Sequence, residues 1–244
     1  MTAHFAIPAT TFVLQQIVQE RLKIAYGSLT APAVSIAPPP RPPATPANPG
    51  ASQQAEPAGI HLFLHHAAPN PAWRNMYEPH VNSAGKRVSR SPLAVDLHYM
   101  LAVTGADLER EVLLGLGVAA LTRHGIVPRA KIESILDSIA APAPPGTLLH
   151  TLTDEPLHDP TTQPEQITIS QAPVDLDLST KIWSALQSPL RPAAYFLVTT
   201  VFLDVGDSFA AAKPVEKAVV GVRPAADPAS PLPLDTLSTT GTTP

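Results

Sequence analysis

Thirty of the 244 residues are proline, and they come in clusters. Proline has no amide hydrogen to give to a sheet ladder and disrupts a helix interior, so each cluster fixes where regular structure has to stop. The share is roughly an eighth of the chain, against about 5% in ordinary proteins, and the excess belongs to linkers and tails. Residues 38–57 (PPPRPPATPANPGASQQAEP) and 141–164 therefore read as flexible Pro-rich loops, and 224–244 as a disordered tail too poor in apolar residues to offset its ordering entropy. What remains within 1–223 is enough for one domain with a sizeable core.

Between the clusters, hydrophobic periodicity assigns the elements. Over 10–26, Val13, Ile17 and Ile24 alternate with Leu14, Val18 and Leu22 at helical spacing, with Thr10 or Thr11 as N-cap and Gly27 as the stop. Residues 33–36 allow a short strand, and 60–66 (IHLFLHH) a longer one that ends before Pro69 and Pro71. Residues 93–103 alternate for eleven positions with apolar side chains on both faces, which predicts a central strand. A helix follows from Asp107 through Leu108, Val112, Leu116 and Ala119, and another from Pro128 through Ile132, Ile135, Leu136 and Ile139. A strand at Ile167 and Ile169, a helix at 178–186, a strand at 195–205 and an alternating run at 213–222 complete the pattern. Interleaved helices and strands of this kind predict an α/β (α+β) fold: a mixed β-sheet flanked by helices.

Charge and composition narrow the chemistry. A net charge of −4 with only 16 Lys plus Arg offers no basic field for a phosphate backbone, so nucleic acid is not an expected partner. The absence of cysteine removes disulfides, thiolate metal sites and cysteine nucleophiles, and suits a reducing cytoplasm. No window approaches the roughly 18 apolar residues of a membrane span, and the first residues do not resemble an export signal, so no membrane association is expected.

Candidate chemistry is sparse. His61, His65, His66, Asp96 and His98 fall on strands where a metal cluster is sterically possible, which opens an alternative reading as a metal-dependent enzyme, although the spacing matches no metal motif. Hydrogen bonding within the fold is the simpler use of Asp96 and His98, and neither metal nor cofactor is expected. No G-x-S-x-G marks a nucleophile, and Gly115 and Gly117 lie inside a helix, where they suit close packing better than anion binding. The PxxP content of 38–49 opens a further alternative, an adaptor for proline-recognition domains. Trp73, Arg74 and Tyr77 after one strand, and Trp183, Arg191 and Tyr195 around another, are of the types enriched at interface hot spots. Trp183, at helical spacing from Leu178 and Leu186, reads as core, whereas Trp73 suits core and interface equally.

Three stretches, IHLFLHHAAPNPAWRNM, SPLAVDLHYMLAVTG with LLGLGVAALTRHGIV, and ITISQAPVDLDLSTKIWSALQSPLRPAAYFLVTTVFLD, together resemble the cap, or tail-terminator, proteins of contractile injection systems, phage-tail-like particles with a contractile sheath around a tube. The matching positions are Leu62, Phe63 and Leu64, the pair Arg74 and Asn75, then Pro92, Asp96, Leu97, His98 and Tyr99, Gly115, and finally Trp183, Leu186, Arg191 and Tyr195. His65 stands where that family usually has tyrosine, and Ala193 where it tends to have serine. The resemblance implies a structural cap without a catalytic centre, assembled in the cytoplasm as a ring of six copies on the last sheath and inner-tube layer of a particle that is retained or released. Structural or interface candidates on this reading are Trp73, Arg74, Asn75, Asp96, His98, Tyr99, Trp183, Arg191 and Tyr195. Such a ring needs a heterologous contact between neighbours, and 213–222 could supply a strand to join the sheath.

Overall fold

The computed structural model describes residues 4–41, 56–73, 91–140 and 142–204. The elements run α1 (Ala6–Tyr26), β1 (Val34–Ser35), β2 (Gly59–Pro69), β3 (Leu93–Thr104), α2 (Asp107–Arg123), α3 (Arg129–Asp137), α4 (Leu148–Thr151) with a 3-10 turn at Leu152–Asp154, β4 (Thr168–Gln171), α5 (Leu176–Ala185) and β5 (Ala193–Leu203). The strands form one five-stranded sheet in the order β1-β2-β3-β5-β4. β1 lies parallel to β2 and every other pairing is antiparallel, so the sheet is mixed, as the interleaved pattern predicts.

β3 is the central strand because both of its faces are apolar. Val95, Leu97, Tyr99, Leu101 and Val103 join the large core under α1, α2 and α3, while Met100 and Ala102 meet Trp183 of α5 and Tyr195 of β5 in a second cluster on the opposite face. Gly117 of α2 makes the first packing possible: a Cβ there would lie 2.8 Å from Leu101 Cδ1. Gly115, two residues earlier, points to open space.

Four expectations change. α1 begins at Ala6, four residues before the threonines read as its cap. Pro8 is tolerated in the first turn, Thr10 and Thr11 instead bond back to the carbonyls of Ala6 and Ile7, and the backbone N–H of Phe5, at the N-cap, donates to Glu155 Oε2 at 3.0 Å. On α2 the buried stripe is Leu113, Gly117, Ala120 and Leu121, whereas Leu108 and Val112 of the expected stripe are exposed. Finally, 141–164, read as a loop, carries α4, and buries Leu152, Leu157 and Gln163 against the rest of the chain. Pro128 is the N-cap of α3, one position ahead of its expected place. The tail 224–244, the run 213–222 and most of 38–57 lie outside the described residues.

Candidate assembly interface

The Arg191 guanidinium is the best-connected of the candidate side chains. It is buried at the start of β5, where Nη2 donates to the Pro40 carbonyl (3.0 Å), Nε to Glu56 Oε2 (3.3 Å), Nη2 also to Glu56 Oε1, and Nη1 to Ser188 Oγ. The fork holds both necks of the Pro-rich loop, Pro40 before it and Glu56 after it, against the turn that leads into β5. Ser188 Oγ donates to the Pro40 carbonyl as well (3.4 Å).

Asp96 is placed by β3 and meets a residue the sequence did not single out. Its Oδ1 accepts from Asn70 Nδ2 (2.8 Å), which also donates to Thr200 Oγ1 (3.0 Å), while Asn70 Oδ1 accepts from the backbone of Ala72 and Trp73. Asn70 thus ties the end of β2, the middle of β3 and an irregularity in β5 into one network, and it orients Trp73, whose ring meets Phe202 edge-on at 5.2 Å. An Asn one residue past a strand-ending proline is the only local hint of that turn.

The histidines separate. A bulge between Leu64 and His66 gathers His65 and His66 toward His98, with ring centroids 6.2 and 5.2 Å from it, and sets His65 edge-on to Tyr195. His61 sits at the far end of β2 beside Thr104, and Asp96 is engaged by Asn70. The five side chains weighed as metal ligands do not converge, and no group of three or more His, Asp or Glu among the described residues is arranged to hold a metal ion. Burial, and then the neighbouring histidine charges, lowers the pKa values of His65 and His98; Asp96 partly offsets this at His98.

The remaining candidates lie inside the fold. Tyr99 is fully buried, its hydroxyl 2.7 Å from Thr11 Oγ1, and burial pushes its pKa up. Trp183 anchors the second cluster, as its helical spacing suggests, and the Tyr195 hydroxyl lies 2.9 Å from Ser179 Oγ. Arg74, Asn75 and Tyr77 lie outside the described residues.

The Pvc16 N-terminal domain matches residues 9–217. The family match covers most of this chain, the sheet and its helical layer included. The chain belongs to the Pvc16 N-terminal domain family. Among solved structures, this Pvc16-type domain is similar to one described as the PVC sheath/tube terminator, in the extended state, of an extracellular contractile injection system. The TM-score is 0.53 at 14% identity, over 92% of this chain and 65% of that one, a likeness of fold. It also matches the anti-feeding prophage cap, described as a tube-terminating cap, with TM-score 0.44 and 16% identity over 85% of this chain and 59% of that one. The Pvc16-type chain spans less than two-thirds of either relative. No curated protein matches its sequence. Among the described residues no helix is long and apolar enough to cross a membrane.

Proposed function

We propose that the chain is the cap of a contractile injection system: it closes the distal end of tube and sheath, sets their length and holds the two cylinders together, and it does so as a structural, non-catalytic subunit. Membership of the Pvc16 N-terminal domain family over 9–217 carries this reading, supported by the fold shared with a sheath/tube terminator. Its partners on this reading are further copies of itself in a six-membered ring and the sheath and inner-tube proteins, with assembly in the cytoplasm before any release of the particle. The chemistry of the anchors fits such a role, since Arg191, Asp96, Tyr99 and Tyr195 spend their polar atoms on holding loops and helices to the sheet.

Removing the chain from cells that make the particle tests the reading directly. Electron microscopy is expected to show open ends and a broad spread of sheath lengths; uniform, closed ends without it refute the cap. A finer test truncates the chain after Lys213. If 213–222 is an arm that joins the last sheath ring, the truncated protein folds while particles show unstable or variable sheaths; an unchanged, uniformly capped sheath removes the arm from the proposal.

A further inference from the structure

The root of the Pro-rich loop holds a titratable group that the proposed cap does not use. The chain leaves the sheet for this loop after Ser35 of β1 and re-enters it at Gly59 of β2. His61 stands at that point, in register with Ser35 on one side and Ala102 of β3 on the other. Two clamps fix the necks of the loop here. The Arg191 fork takes the Pro40 carbonyl and the Glu56 carboxylate, and Thr104 Oγ1 donates to the Pro57 carbonyl at 2.9 Å. His61 meets both, with Nε2 3.4 Å from Thr104 Oγ1 and the charges of Arg191 and Glu56 facing its ring. Its strand neighbours in register, Ser35 and Ala102, carry no charge.

Hydrogen-bond accounting decides which form of the ring this arrangement suits. A threonine hydroxyl has one proton, and the Pro57 carbonyl takes it, so Thr104 can only accept from His61. The neutral ring therefore carries its proton on Nε2 and leaves Nδ1 as an acceptor. Nδ1 is buried and has no hydrogen-bond partner. A second proton there turns the ring into a cation that has to share one carboxylate with Arg191. Burial, the largest influence, holds the His61 pKa below its ordinary value and the Arg191 charge adds to this, while the Ala37 backbone and Glu56 offset part of it. With the necks released, water reaches the ring and the charged form loses its penalty, so a proton favours the released arrangement.

We propose that His61 is the proton-sensitive element of a latch at the root of the Pro-rich loop: neutral, it lets Arg191 and Thr104 hold both necks; protonated, it releases them. The latched form binds the proton more weakly. Latching is thus fully favoured above the ordinary histidine value near 6.5, weakens as pH falls below it, and levels off once the latched ring is protonated too. One proton shifts the opening equilibrium by at most about tenfold between pH 7.5 and 5.5.

Amide hydrogen exchange of the full chain at these two pH values, corrected for the intrinsic pH dependence of exchange, tests the latch at residues 34–41 and 56–62. The centre of β3 reports unfolding of the whole sheet for comparison. Protection at the necks is expected to fall roughly threefold to tenfold more than at β3. His61→Gln keeps a donor for Thr104 and cannot titrate, so it should abolish this excess, while His65→Gln, at the other histidine cluster, should leave it. Necks that fall only in step with β3, or an excess that survives His61→Gln, would overturn the latch. Should His61→Gln fail to fold, titration of the His61 ring by NMR in the native chain decides instead: a ring that protonates at the ordinary value, or without any shift of the neck amides, overturns it equally.

Discussion

Replacing Arg191 by alanine removes the fork that clasps both necks of the Pro-rich loop and leaves the Glu56 carboxylate half-buried without its cation. Breaking a buried ion pair from one side costs about 3–5 kcal/mol, because the remaining charge keeps its desolvation penalty. Glu56 retains some contact with water, 22% of its side chain being exposed, which argues for the lower part of that range. A loss of about 3 kcal/mol, at about 2–4 °C per kcal/mol for a domain of this size, is a fall in Tm on the order of 6–12 °C. Lysine at this position keeps the charge and loses the planar fork, so Arg191→Lys should fall between alanine and the native chain. The assay is thermal unfolding of Arg191→Ala, Glu56→Gln and the double variant, read as a cycle. Because the double variant removes both charges, it should be more stable than the sum of the single losses by about 1–3 kcal/mol. An Arg191→Ala protein that melts within about 2 °C of the native chain, or a cycle with no coupling, refutes the clasp; the conversion is that of the same size scaling.

Gly115 and Gly117 should respond with opposite signs: Gly115→Ala meets open space and gains helix propensity of about 1 kcal/mol, whereas Gly117→Val drives a side chain into Leu101 and costs about 1–3 kcal/mol, both read as shifts in Tm. Asp96→Ala should cost about 1–3 kcal/mol by leaving the Asn70 amide short of an acceptor, and unchanged stability in urea titration would show that the network is dispensable. Acid should weaken the fold through the histidine cluster. His65 and His98 bind protons less readily folded than unfolded, so stability falls as pH drops below the ordinary histidine value near 6.5 and levels off once the folded groups are also protonated; Tm at pH 7.5 and 5.5 measures this, and His65→Gln should flatten the dependence.

The central strand was legible because its alternation is long and two-sided, and no other element could satisfy it. α2 was legible as a helix and its buried side was not. Both Leu108–Val112–Ala119 and Leu113–Ala120–Leu121 satisfy helical spacing, and the choice is made by Gly117, whose missing side chain lets that face approach Leu101. The start of α1 was hidden for a different reason: its N-terminal contact comes from Glu155, 150 residues away, which no local capping rule can see. Composition misplaced 141–164, since a proline average conceals the two leucines that anchor it. Sequence named Asp96 and Arg191 as candidates but not their partners Asn70, Glu56 and Pro40, because those partners lie 26, 135 and 151 residues away and leave no local signal.

Glutamine explains how the sheet ends. At one edge the Val34 N–H donates to Gln19 Oε1 (2.9 Å) and the Val34 carbonyl accepts from Gln15 Nε2 (2.6 Å), so two side chains one helical turn apart stand where a sixth strand would pair. Beyond the end of β4, Gln163 does the same for Phe202, accepting from its N–H (2.9 Å) and donating to its carbonyl (2.7 Å). β4 itself is covered at Ile167 and Ile169 by the backbone of Val127 and Gly125. Where β2 runs past β1, it bulges at His65 and finishes on Pro69, two features that discourage a further strand. A primary amide carries both N–H donors and a carbonyl acceptor, so a side chain can meet the donor or the acceptor of an edge residue without adding a strand. In a subunit proposed to end a polymer this has a consequence for its contacts. On the proposed cap reading, the described sheet edges offer a partner side-chain surfaces in place of a free ladder, and a strand added from 213–222 would need its acceptor edge in that partner.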